Sequence, residues 1–206
     1  MKYKTFLIFG APGSGKGTQG TALGTLPQFY HVACGEVFRS IDTQSPIGQE
    51  FLRYSSKGEL VPDETTVALW SEHIENAIRS GAFKPEVDYL VLDGIPRVVN
   101  QAKLMEERID VLKIFHLTCP DRSQLVLRLK KRALKENRLD DANEKVITHR
   151  LRTYEEESKP VLDFYGADRT EVIDAMQTPG EVMLEILKTV TKIQSGVEGD
   201  VKAKVK

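Results

Sequence analysis

Residues Gly10-Ala-Pro-Gly-Ser-Gly15-Lys16-Gly17-Thr18 follow directly on the apolar run Phe6-Leu-Ile-Phe9. A glycine-rich loop with an embedded lysine, fed by a buried strand and opening a helix, is suited to hold the phosphate tail of a nucleotide. Its glycines let backbone N–H groups turn inward as a nest for phosphate oxygens. The lysine adds a point charge at the terminal phosphates, and the helix that follows presents its positive end to the same anion. The strict pattern has Ser or Thr immediately after the lysine; here Gly17 intervenes and Thr18 comes one place later. The sequence predicts nucleotide binding, with Gly13, Ser14, Gly15, Lys16, Gly17 and Thr18 at the phosphates.

Several arginines extend this chemistry. Arg128 and Arg132 are four apart on one predicted helix and share a face. Like charges there cost roughly 0.2–0.5 kcal/mol unless an anion lies between them, the alternative being a solvated basic face. Arg150 falls on the stripe of Val146, Ile147, Leu151 and Tyr154, where a guanidinium either finds a partner or snorkels to solvent. Asp140 and Asp141 are candidate helix caps or ion-pair partners. Arg97 follows Asp93-Gly94-Ile95-Pro96 at the carboxyl end of a predicted strand, and Asp93 either holds magnesium through water or caps the next helix. Arg39 closes Gly35-Glu-Val-Phe-Arg39. Beside a phosphate loop, this group predicts a site for more negative charge than one nucleotide carries.

Short apolar runs alternating with helical patterns must position these residues, which is the signature of a parallel sheet covered by helices. Strands are predicted at Thr5–Phe9, Tyr30–Ala33, Tyr89–Leu92, Ile114–Leu117 and Glu171–Ile173. Helices are predicted from Lys16, over Glu36–Arg39 and Ile47–Ser56, and from the start signal Pro62-Asp63 to the stop at Gly81. Others cover Gln101–Arg108, Ser123–Lys135, Ala142–Glu157 and Pro179–Ile193. Two stretches break the rhythm: the helical excursion Ala33–Val61 and the polar hinge Arg132–Asp141. Ligands of open parallel sheets sit at the carboxyl ends of the strands, where such inserts serve as covers.

A chain of 206 residues makes one domain with a proper core. Its 29 basic and 30 acidic residues give a net charge of −1, which argues against nucleic-acid or membrane-surface partners. Phe6–Phe9 is too short for a secretory signal or a membrane span. Cys34 and Cys119 have neither metal-ligand spacing nor the number for a disulfide framework, and the four histidines are scattered. A cytoplasmic protein is expected.

The motifs together resemble those of the adenylate kinases, within the nucleoside monophosphate kinases. The resemblance runs from Tyr3 to Ile193. It takes in Gly10-x-Pro-Gly-x-Gly-Lys-Gly-Thr18, Cys34-Gly-Glu-Val-Phe-Arg39, Gly58-Glu-Leu-Val-Pro-Asp63 and Asp93-Gly-Ile-Pro-Arg97 with Gln101. Arg128, Arg132, Arg138-x-Asp140-Asp141 and Arg150 complete it. Ile95 stands where an aromatic is usual and Cys34 where a threonine is usual. Ala175 and Gln177 lie near the family's contacts to the ATP base, and only five residues separate Arg132 from Arg138, a short lid without flexible glycines.

The resemblance implies an α/β fold: a five-stranded parallel sheet of the P-loop NTPase type flanked by helices, with a helical monophosphate-binding insert and a short lid. Residues 1–193 would form one kinase domain, with core 1–32, 62–130 and 142–193, insert 33–61 and lid 131–141, leaving 194–206 as a frayed tail. The implied reaction is MgATP + AMP giving two ADP. Lys16, Arg97, Arg128, Arg132, Arg138 and Arg150 would be catalytic. ATP would meet the phosphate loop, Arg128, Arg132 and Gln177. AMP would meet Cys34, Arg39, Glu59, Leu60, Val61, Gly94, Arg97, Gln101, Arg138 and Arg150. Magnesium would enter with ATP, held by phosphate oxygens and water, with Asp93 behind those waters. No structural zinc is expected, since the Arg132–Asp141 span has no Cys or His. The implied partners are ATP, AMP and ADP, with no nucleic acid or membrane, and the implied state is a monomer. The rival readings are a UMP/CMP kinase and a non-catalytic nucleotide-binding module. Gln101 favours AMP, because a glutamine amide donates and accepts at once, as the adenine edge requires, and left unpaired in the interior it would cost about 1–3 kcal/mol. Cys34, smaller in polarity than threonine, points toward the pyrimidine relatives.

Overall fold

The computed structural model describes residues 1–136, 141 and 143–196. Five strands, β1 (Tyr3–Gly10), β2 (Phe29–Ala33), β3 (Tyr89–Asp93), β4 (Ile109–Thr118) and β5 (Thr170–Asp174), form one sheet in the order β2-β3-β1-β4-β5. Every pairing is parallel. Helices α1 (Lys16–Gly24), α2 (Cys34–Arg39), α3 (Pro46–Ser55), α4 (Asp63–Arg79) and α5 (Val99–Met105) come between the first four strands. Then follow α6 (Arg122–Glu136), α7 (Glu144–Thr153), a π turn (Tyr154–Ser158), α8 (Pro160–Tyr165) and α9 (Pro179–Gln194).

Strand β1 is the central strand, and its continuous apolar run is what burial on both faces demands. Its alternation still decides which layer each side chain feeds. Leu7 and Phe9 join Trp70 and Ile74 of α4, Met105 of α5 and Ile147 and Leu151 of α7. Phe6 and Ile8 join Leu23 of α1 and Val182, Ile186 and Val190 of α9. The strand order reverses at β1, between β3 and β4, so the loop leaving its carboxyl end opens at the switch point of the sheet.

The five predicted strands are all present, each extended by one or more residues. β4 grows most, because Ile109–Val111 pairs with Tyr3–Thr5 of β1. That pairing also ends α5 at Met105, short of the predicted Arg108. The helix expected over Ala142–Glu157 is corrected at both ends: α7 starts at Glu144, capped by Asn143, and stops at Thr153. Beyond it, the Lys159 N–H reaches back to the Tyr154 carbonyl, an i→i+5 bond that makes the π turn. Pro160 then supplies the first residue of α8, an element the periodicity missed in its six residues. Residues 137–140, 142 and 197–206, including Arg138, Asp140 and most of the predicted tail, lie outside the described residues.

Helix α1 lies close against β2. A Cβ at Gly24 would stand 2.5 Å from His31 Cβ, whereas at Gly180 in α9 it would meet nothing within 4 Å. The same substitution should therefore act with opposite sign. Gly24→Ala should destabilise by about 1–3 kcal/mol through overpacking, and Gly180→Ala should be neutral or stabilising by up to about 1 kcal/mol. Denaturant unfolding of both variants checks this, and equal effects would contradict the packing.

Candidate active site

The loop between β1 and α1 is shaped by two left-handed glycines, Gly13 at φ 85° and Gly15 at φ 95°. Gly13 is also pressed on α6, since a Cβ there would lie 3.0 Å from the Leu125 carbonyl oxygen. Lys16 follows this loop as the first residue of α1. Lys16 Nζ donates to the Ala11 carbonyl at 3.1 Å. Desolvation lowers its ammonium pKa to about 8, partly opposed by Asp93 and reinforced by Arg97, Arg132 and Arg150. Three guanidiniums and one carboxylate, Asp93, thus act on the Lys16 ammonium.

One cleft of about 930 Å³ opens over the carboxyl edge of the sheet. It brings together every predicted site residue among the described ones. The loop residues Gly13 to Thr18 line its floor, with Arg128, Arg132 and Gln177 on one side. Cys34, Arg39, Glu59, Leu60, Val61, Gly94, Arg97 and Gln101 line the other, and Arg150 also faces it. Arg138, the remaining predicted site residue, lies outside the described residues.

Arg128 is held by a backbone carbonyl, whereas Arg132 and Arg150 share one carboxylate. Arg128 donates to the Ala175 carbonyl at 3.0 Å, so Ala175 fixes an arginine on that side of the cleft. Arg132 donates from Nε to Asp141 Oδ2 at 2.6 Å, and Arg150 donates to Asp141 Oδ1. Asp141 is fully buried, which makes it an ion-pair partner rather than a helix cap. Arg150 therefore has a charged partner, and Gly58, left-handed at φ 78°, leaves room for its Cγ. Asp93 does not cap the next helix either; Val98 stands at that position, and Asp93 faces Lys16 and Gly17 instead.

On the other side, Arg97 Nε donates to the Gly94 carbonyl at 2.9 Å. The backbone N–H of Arg97 donates to Gln101 Oε1 at 2.8 Å, and Gln101 Nε2 donates to Asp63 Oδ1 at 2.8 Å. The Gln101 amide, buried at 1 % exposure, thus has two partners within the protein. It keeps one N–H and one oxygen lone pair for a ligand. Cys34 lines the wall beside it, its thiol pushed up to about 11 by burial. Gln177 donates to Glu185 at 3.1 Å.

Sequence reasoning missed the roles of four residues. Lys131 and Lys135 line the cleft from the same helix as Arg128 and Arg132, and the basic run 128–135 was the available signal. Tyr154 also faces it, its hydroxyl 2.8 Å from His116 Nε2 and its pKa raised by burial. Asp63 read as a helix start and as the last residue of the Gly58–Asp63 motif, with nothing to join it to Gln101. Among the described residues, no three His, Cys, Asp or Glu side chains gather as a metal site, and no helix is long and apolar enough to cross a membrane.

The family profile described as adenylate kinase matches residues 8–170. An adenylate kinase of Cyanothece sp. is 35% identical over 91% of this chain and 95% of its own length. Those of Leptospira biflexa and Mycolicibacterium vanbaalenii are each 33% identical, covering 92% and 88% of this chain and 98% and 96% of their own. The chain belongs to the adenylate kinase family and is a nucleotide phosphotransferase with a P-loop fold.

A lysine with a pKa near 8 regains its proton when phosphates arrive. At pH 8, ATP binding should take up about half a proton at Lys16. Calorimetry in buffers of different ionisation enthalpy should show this uptake in the wild type and its loss in Lys16→Met. Equal uptake in both proteins would remove Lys16 as the titrating group.

Proposed function

We propose that this member of the adenylate kinase family catalyses reversible phosphoryl transfer from MgATP to AMP, giving two ADP. The observation that carries the reading is the convergence of the Lys16 loop, Arg128, Arg132, Arg150, Arg97 and Arg39 on one cleft whose far end holds Gln101. A single nucleotide does not need that many cations. Two polyanions brought end to end do.

The acceptor is itself a phosphate, mostly dianionic at neutral pH because its second pKa is about 6. No general base is required to make the nucleophile. The work is to align two like-charged groups and to stabilise charge on the transferring phosphoryl. In this reading Lys16, Arg128 and Arg132 face the ATP phosphates, with the N–H groups of the loop. Arg39 and Arg97 hold the AMP phosphate. Arg150, with Arg138, approaches the transferring group from the lid side. Magnesium enters as part of the ATP substrate, carried by phosphate oxygens and water, and Asp93, beside Lys16, is suited to hold such a water. Water must be kept from the transferring group. Residues 33–61 and 131–141 are the proposed covers, and lid closure of this kind is an established property of adenylate kinases as a family.

Gln101 carries the choice of base, with an N–H and a lone pair still available. Glu59, Leu60 and Val61 complete the acceptor side, and Gln177 stands at the ATP base. Cys34 supports a second reading, a UMP/CMP kinase, through its small, weakly polar wall. The AMP reading brings with it a cytoplasmic monomer without structural zinc, acting on ATP, AMP and ADP and not on nucleic acid or membranes.

At fixed MgATP, kcat/KM for AMP should exceed that for UMP and CMP by at least about tenfold, the effect of one well-made hydrogen-bonded contact. A coupled assay across the three acceptors checks it. A UMP or CMP value equal to or above that of AMP would overturn the choice of acceptor and leave the kinase reading in place.

A further inference from the structure

Asp63, the first residue of α4, sits outside the phosphate machinery, yet it touches the residue that reads the base. Its Oδ1 accepts from Gln101 Nε2 and its Oδ2 from Asn100 Nδ2, both at 2.8 Å. On the other side of the same amide, Gln101 Oε1 accepts the Arg97 backbone N–H at 2.8 Å. An ionised carboxylate only accepts and a backbone N–H only donates. The Gln101 amide is therefore pinned one way round by partners that admit no exchange of its oxygen and nitrogen.

That orientation decides what the remaining N–H and lone pair can read. A 6-amino purine offers an amino donor beside a ring-nitrogen acceptor. A 6-oxo purine offers the reverse, a carbonyl acceptor beside a ring N–H. A glutamine free to turn over serves both, and a pinned one serves one. We propose that Asp63 is a positioning residue for base selection: by fixing the Gln101 amide it makes the site discriminate amino-bearing from oxo-bearing bases. The proposal rests on the reading of AMP as acceptor.

The 6-oxo analogue IMP is the probe, since it matches AMP in size and phosphate. Asp63→Asn keeps the shape of the side chain but offers Gln101 either a donor or an acceptor. It should lower the AMP-to-IMP ratio of kcat/KM by about tenfold, as loss of one directional hydrogen bond implies. The KM for ATP should change less than twofold. Asp63→Ser, compatible with a helix start but too short to reach the amide, should lower the ratio likewise. In a Gln101→Ala background, Asp63→Asn should leave the ratio unchanged, because its path of action is gone.

A purely structural role, stapling α4 to α5, predicts instead that activity with AMP and IMP falls in parallel. Parallel loss, an unchanged ratio in Asp63→Asn, or full additivity with Gln101→Ala would each overturn the proposal. If the wild type prefers a pyrimidine acceptor, the AMP reading fails separately. The same variants are then read by the CMP-to-UMP ratio, which poses the same amino-against-oxo choice.

Discussion

Like charges crowded into a partly desolvated cleft are the constraint on which the rest of this structure depends. Burial lowers the Lys16 pKa first, Arg97, Arg132 and Arg150 lower it further, and Asp93 opposes them. Asp141 takes both Arg132 and Arg150 and is itself fully buried. A buried carboxylate shared by two guanidiniums is a poor source of net stability but a good clamp, since removing it would strand both cations. The cleft is thus held open to anions by groups that fix its arginines without neutralising all of them. Phosphate is the natural remainder of that balance.

The fold answers this demand from the centre outward. β1 is buried on both faces by two separate cores, and it delivers the glycine loop at the point where the sheet order reverses. α1 is seated against β2 at Gly24, and Gln19 ties it to α9 by donating to the Pro179 carbonyl at 3.0 Å. These arginines come from α6, α7 and the loop after β3, Arg128 anchored to the carbonyl after β5, Arg132 and Arg150 to Asp141, and Arg97 within its own loop. A cluster assembled from several rigid elements keeps its geometry better than one carried on a single loop.

Much of this was legible before any coordinates. The glycine loop, the apolar runs and the Pro62-Asp63 start signal are local features, and local chemistry writes them into short stretches. What escaped was long-range or unpeaked. The π turn has no apolar period of its own, and α8 is too short to show one. Asp141 offered cap or ion pair, and only its burial against Arg132 and Arg150 decides between them. Asp63 and Gln101 lie 38 residues apart, and no spacing rule joins the start of one helix to the amide of another. The protein partners of the Gln101 amide were hidden for the same reason: they meet it only in three dimensions.

The central claim is that the cleft carries positive charge at some cost to the folded protein and that polyanions relieve it. Thermal unfolding at pH 7 and fixed ionic strength, with and without inorganic tripolyphosphate, tests this most directly in wild type and Lys16→Met. A lysine with a lowered pKa destabilises the free fold, fully below about pH 8 and progressively less up to its ordinary value of 10.5. The account predicts that Lys16→Met without anion melts above the wild type yet gains less from tripolyphosphate. A variant that melts below the wild type and gains equally from the anion would contradict it.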